Sequence, residues 1–212
     1  MSENMHNYQH IEMSAVLPKS ALKAFKKSQL LRSRDLESLG IWRASLGELV
    51  KRGAISRIRR GLYTLPDAEI TENHTLAEIG KRVPNGIICL LSALRFHGLT
   101  TQQPYEVWIA LDGKAREPHV DQLTLKVIRS SGEALAAGCD EHLIEGVVVK
   151  IYRPAKTVVD CFKFRNKIGL DVALEALREA WRGKRCTMDE IMHYARICRM
   201  ENVMRPYLES LT

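Results

Sequence analysis

Arginine and lysine crowd the front of the chain at spacings suited to holding phosphate. Between Lys19 and Leu62 stand twelve Lys/Arg against three acids, Asp35, Glu37 and Glu48, a local balance of +9. The whole chain of 212 residues carries +7, so everything else stands at −2. A strongly basic segment on a near-neutral body is the electrostatic footprint of a module that meets a polyanion. Charge alone fits a solvated basic surface equally well, and so does a helix docked on an acidic protein. Other groups capable of chemistry are sparser. Asp112-Gly113-Lys114 has the D-x-K spacing of metal-dependent nucleases, in which carboxylates hold a divalent ion and the Lys steadies developing charge. The same three residues read equally as a turn, and no upstream acidic strand end completes a metal site. Seven histidines show no HExxH spacing, and neither His97 nor His142 has a cysteine partner nearby. His97 beside Gly98 reads as a helix end. Phosphate-binding and dinucleotide-binding glycine patterns are missing, so no cofactor and no metal is expected and the chain reads as a non-enzyme. Five scattered cysteines, Cys89, Cys139, Cys161, Cys186 and Cys198, read as reduced and mostly buried thiols of a cytoplasmic protein.

The elements that must position the cations follow from local pattern. Ala21, Leu22 and Phe25 give the apolar side of a first helix studded with Lys19, Lys23, Lys26 and Lys27. Ser33 reads as the N-cap of a short second helix, with Asp35 and Glu37 near its positive end. Gly40 permits a tight turn, and a third helix runs from about Trp42 to Arg52 with Gly53 as its stop. Projected at ~100° per residue, Trp42, Leu46, Leu49 and Val50 fall on a packing side. Ala44, Gly47, Glu48 and Lys51 fall opposite, with Arg43, Ser45 and Arg52 at the margins. Small residues on an exposed face let a helix settle into a groove ~12 Å wide. Arg43 is placed to reach guanine and Glu48 to accept from cytosine; Lys51 and Arg52 suit phosphates, and Arg32, Ser33 and Arg34 before the turn are further candidate DNA contacts. Ile55 to Leu65 reads as two strands around an Arg-Arg-Gly tip, with Arg57, Arg59 and Arg60 as further DNA contacts. Ile55 and Ile58 have opposite parity, which predicts a bulge or a short first strand. A helix-turn-helix followed by a basic hairpin predicts a winged helix-turn-helix at 17–66.

Leu65-Pro66-Asp67 punctuates the chain. Residues 1–16 read as a tail or packing arm, and 67–212 as a mixed α/β domain with a helical C-terminal layer, so the fold class is α+β. Thr71–Val83 predicts a helix; Tyr105–Leu111, Leu123–Arg129, Glu141–Ile144 and Val147–Tyr152 predict strands, the last two turning at Glu145-Gly146. After Pro154 the pattern is helical almost to the end. Leu170, Ala173, Leu174, Leu177 and Trp181 form a stripe between Gly169 and Gly183, and Thr187 with Glu190 makes a capping box. Hydrophobic residues at 45% and charged residues at 27% exclude a disordered chain. No apolar run reaches the ~18–20 residues of a membrane span. The polar start, Met1 to Ile11, predicts no secretory signal.

Several of these segments resemble the antitoxin of AbiE abortive-infection systems, a type IV toxin–antitoxin pair. The likeness is carried by Ser33-Arg34-Asp35-Leu36, by Leu46-Gly47-Glu48-Leu49-Val50-Lys51-Arg52-Gly53 and by Ile58-Arg59-Arg60-Gly61-Leu62-Tyr63. It continues through Ile88 to Thr100, Glu106-Val107-Trp108, Pro154 to Phe162 and Gly169 to Leu177. The resemblance implies a winged-helix DNA-binding domain joined to a C-terminal domain that carries antitoxicity. It also implies repression of its own operon through inverted repeats in promoter DNA, which brings two molecules onto the duplex. The implied partner is a nucleotidyltransferase-type toxin, countered without a stable complex. That toxin's own paired carboxylates and Gly-Ser loop are missing here. A stand-alone regulator of the same build is the alternative. Lys156 and Asp160 are i, i+4 neighbours and read as a surface ion pair worth ~0.3–0.5 kcal/mol, or as part of a recognition patch. Together with Thr157 and Arg95 they are the candidate antitoxicity positions.

Overall fold

The computed structural model describes residues 17–118, 120 and 122–211. The tail or arm expected at 1–16 lies outside the described residues. The fold is mixed α and β with two sheets, and the chain divides into two compact units. Among the described residues, the first comprises 17–81 and 143–148 and the second 82–142 and 149–211.

The first unit opens with α1 (Lys19–Lys27), which buries Ala21 and Phe25 one turn apart and leaves its lysines outside. Next come β1 (Leu31–Arg32), α2 (Ser33–Glu37) and α3 (Arg43–Lys51). The turn between the last two passes through Gly40 at φ +87°, a left-handed conformation that a Cβ disfavours. The hairpin β2 (Ser56–Arg59) and β3 (Leu62–Thr64) follows. Pairing shifts register between Arg57 and Arg59, which is the expected bulge, and β1 adds to β3 to give the order β1-β3-β2. Phe25, Leu36, Ile41, Leu46, Ile55 and Tyr63 are the main contributors to one apolar core. Burying a side chain such as Phe25 is worth roughly 1.5–3 kcal/mol, so this small unit closes on a handful of them. Helix α4 (His74–Arg82) follows, three residues shorter at its start than the Thr71–Val83 pattern suggests. Ser33 opens α2 rather than capping it. The Asp35 carboxylate accepts from the Arg32 backbone N–H instead, at 2.9 Å, and the Ser33 amide donates to Gly61.

In the second unit, β4 (Ile87–Ile88) leads into α5 (Leu90–Phe96). Strands β5 (Val107–Asp112), β6 (Leu125–Ser130), β7 (Cys139–Ile144) and β8 (Val147–Tyr152) complete a five-stranded sheet, with the short α6 (Glu133–Ala136) between β6 and β7. The order is β6-β5-β4-β8-β7, with β4 antiparallel to β5 and parallel to β8, and β5 parallel to β6. The C-terminal layer is α7 (Pro154–Lys163), α8 (Arg165–Ile168), α9 (Leu170–Arg182), α10 (Met188–Cys198) and α11 (Glu201–Glu209). Its buried stripe on α9 is Val172, Ala173, Ala176, Leu177 and Ala180. Leu170 is exposed and Leu174 and Trp181 only half-buried, because the stripe is rotated from the expected one toward the alanines. The Thr187–Glu190 capping box forms as read: each side chain accepts from the other residue's backbone N–H. Cys89, Cys161 and Cys198 are buried, Cys139 and Cys186 half-buried, and all five are free thiols.

Candidate nucleic-acid interface

Helix α3 presents the face that the sequence predicts, with one exception. Leu46 is buried in the core of its unit and Leu49 and Val50 are half-buried. Arg43, Ala44, Ser45, Gly47, Glu48, Lys51 and Arg52 are all exposed. A Cβ built on Gly47 meets nothing within 4 Å, so the middle of this face is open. Two ion pairs lie along it: Arg43 Nε to Glu37 at 2.8 Å and Arg52 Nε to Glu48 at 2.9 Å. The Ser45 hydroxyl donates to the Trp42 carbonyl at 2.7 Å. The exception is Trp42. The helical projection puts it on the packing side, yet it is 75% exposed. Its backbone is extended, at φ −70° and ψ 148°, so the 100° projection that holds from Arg43 onward does not apply to it.

The hairpin divides its arginines. Arg57 is exposed, and its Nε donates weakly to the Arg59 carbonyl. Arg60 is exposed at the tip, where Gly61 adopts φ +73°. Arg59 turns inward: its Nε lies 2.6 Å from Oε2 of Glu78, whose side chain is 2% exposed. Glu78 also faces His74 Nε2 at 3.4 Å, and the other His74 ring nitrogen lies 2.7 Å from Glu145. Glu145 in turn accepts from the Thr71 amide and hydroxyl. Its neighbour Gly146, at φ +71°, lies so close to the Lys27 carbonyl that no Cβ fits. Burial works to raise the Glu78 carboxyl, but the hydrogen bonds from His74 and Arg59 prevail and hold it below its ordinary range. The bond to Glu78, aided by Glu145, lifts His74 above the usual imidazole value against the opposing effect of burial. Glu78, His74 and Glu145 hold the hairpin through Arg59, beside its tip, and the sequence reading missed all three; His74 and Glu78 are only four residues apart, but the contacts to Arg59 and Glu145 span 19 and 71 residues and leave no local pattern.

Around α2, Arg32 is held by Asp35 and by the Lys81 carbonyl at 2.8 Å, and Lys81 also reaches Asp35. Burial would raise Asp35, but the Arg32 amide and Lys81 lower it. Ser33 is half-buried beside Gly61, and Arg34 is exposed. No helix among the described residues is long and apolar enough to cross a membrane.

The second candidate set does not come together as a surface. Arg95 is exposed on α5, whereas Lys156, Thr157 and Asp160 are 1%, 0% and 5% exposed. The expected surface ion pair is therefore corrected to a buried one. Lys156 Nζ meets Asp160 at 2.5 Å and lies 4.0 Å from the centre of the Tyr152 ring. The Cys198 thiol donates to the other Asp160 oxygen, and Thr157 Oγ1 to the Tyr152 carbonyl. Burial pushes the Asp160 carboxyl up, against the pull of Lys156. Elsewhere, Asp112 accepts from the Lys114 amide at 2.9 Å, the bond of a turn. His97 ends α5 as expected, and its Nε2 lies 2.6 Å from the Tyr152 carbonyl.

Helices α1 to α3 of the first unit thus carry a basic hairpin and display one helix whose outer face is small and cationic. Residues 21–66, from α1 through β3, match a family described as "Transcriptional regulator, AbiEi antitoxin". The resemblance to AbiE-type antitoxin regulators is borne out over that segment. No curated protein matches the chain.

Proposed function

We propose that the first unit is a winged helix-turn-helix that binds promoter DNA. Helix α3 enters the major groove and the β2–β3 hairpin lies on the flanking backbone. The observation that carries this reading is the open, small-residue face of α3, flanked by Arg43, Lys51 and Arg52, within the segment that matches the antitoxin regulators. Arg43 and Glu48 address bases; Lys51, Arg52, Arg34, Arg57 and Arg60 address phosphates. Arg59 and Arg32, engaged by Glu78 and Asp35, set the shape of the unit rather than touch the duplex. The protein acts in the cytoplasm as an autorepressor and antitoxin. Two molecules occupy inverted repeats of its own promoter, and the toxin is a nucleotidyltransferase countered without a stable complex. It works by binding, not by catalysis.

Fluorescence anisotropy with a labelled duplex of its own promoter tests the reading. With four to six phosphate contacts, log affinity falls against log salt with a slope of about −4 to −5. Arg57→Ala combined with Arg60→Ala makes that slope shallower by about 2. Equal affinity for promoter and scrambled duplex refutes sequence-specific repression, and an unchanged slope in the double variant refutes the wing.

A further inference from the structure

We propose that Trp42 is a DNA-contact residue, docking the head of α3 through apolar contact with a thymine methyl and the adjoining deoxyribose. The inference rests on the winged-helix reading and adds to it a residue that charge cannot reveal. An indole that is 75% exposed is unusual for so large an apolar group. Trp108, by contrast, is 8% exposed and Trp181 half-buried. The position is fixed although the ring is open, because both the Ser45 hydroxyl and the Ser45 amide donate to the Trp42 carbonyl, at 2.7 and 3.0 Å. The extended backbone just before the first helical residue swings the ring out of the packing side and onto the end of α3 that leads into a groove. Arg43, the neighbour assigned to that end by sequence, is drawn toward Glu37. Ala44 and Gly47 place no bulk beside the ring.

The surroundings select the partner. Arg43 next to the ring, and Lys51 and Arg52 at the far end of the same helix, give this exposed face a positive field, which draws in a phosphate backbone. A major groove offers the one apolar group a duplex edge carries, the thymine C5-methyl. An amphipathic ring suits such a border, with its face on methyl and sugar and its Nε1–H free to donate to a phosphate oxygen.

The test uses the full chain as wild type, Trp42→Phe and Trp42→Ala. The probe is a promoter duplex made by amplification with dTTP, or with dUTP and uracil-containing primers to remove every thymine methyl. Trp42→Ala is expected to weaken binding about ten-fold while leaving the salt slope unchanged, since no charge is removed. Trp42→Phe restores most of the affinity. Loss of the methyls weakens wild type more than Trp42→Ala. Acrylamide quenching of the Trp42 share of the emission, taken as wild type less Trp42→Phe, falls when the duplex is added. If wild type binds its promoter but Trp42→Ala binds equally and the ring stays open to acrylamide, the inference is overturned and the winged-helix reading stands. If wild type shows no preference for the promoter, both fall. Protection of Trp42 that rises with protein concentration alone assigns the ring to self-association and also overturns the inference.

Discussion

Replacing Glu78 with alanine separates a structural brace from a simple surface charge. Its two carboxylate oxygens are divided between Arg59, at 2.6 Å, and His74, at 3.4 Å, and the side chain is 2% exposed. Removing one partner of a buried pair costs about 3–5 kcal/mol, since the remaining charge loses both water and counter-ion. Arg59 is 23% exposed and His74 keeps its bond to Glu145, so the cost falls at the lower end, about 3 kcal/mol. Glu78→Gln retains an acceptor and costs about 1–2 kcal/mol. Hydrogen exchange in peptides covering β2–β3 and α4, followed by mass spectrometry at pH 6, reads these opening energies directly. The effect on DNA gives a second readout of opposite sign for the two explanations. As a mere negative charge near the duplex, Glu78 weakens binding, and its removal tightens it. As the anchor of Arg59 it holds the hairpin, and its removal weakens binding despite the gain in positive charge. Tighter binding by Glu78→Ala, or protection no lower than in Glu78→Gln, refutes the brace.

The same network sets a pH dependence. The folded pKa of His74 is raised above the ordinary 6.5, so its stabilisation of the first unit is complete below that value and is lost as pH rises through the raised one. Exchange protection of α4 therefore falls as pH rises above 6.5 in wild type and stays flat in His74→Gln; equal slopes refute the assignment. In the second unit, Lys156→Ala leaves the Asp160 carboxylate buried without its cation and costs about 3–5 kcal/mol in urea unfolding. Adding Asp160→Asn to Lys156→Met recovers at least half of that, and a Lys156→Ala cost under about 1 kcal/mol refutes the buried-pair account.

What could be read from sequence was whatever a local repeat encodes. Leu46 inward with Ala44 and Gly47 outward follows from 3.6-residue periodicity, the bulge from the parity of Ile55 and Ile58, and the α10 cap from Thr187 and Glu190 three apart. Trp42 escaped because periodicity ends one residue before the helix begins. Lys156 and Asp160 escaped because i, i+4 spacing is the same on a surface as in a core. The clue lay around them, in Ala155, Val158, Val159, Cys161 and Phe162, which make α7 apolar on nearly every side.

The acids of the basic segment explain why its charge overstates its reach. All three of them, Asp35, Glu37 and Glu48, hold arginines: Arg32, Arg43 and Arg52 respectively. The pairs are not equivalent. Arg43 and Arg52 have side chains 70% and 62% exposed, and such surface pairs are worth about 0–1 kcal/mol. On the proposed function, a phosphate or a guanine would displace the carboxylate at little cost; in the free protein the pair holds Arg52 along α3 and Arg43 toward α2. Arg32 and Arg59, at 25% and 23%, are also tied to the Lys81 carbonyl and the buried Glu78 carboxylate. Freeing either strands a partly buried charge or acceptor. The +9 of the segment therefore divides into cations that can exchange partners for a duplex and cations that shape the surface presenting them, and burial of the partner acid decides which is which.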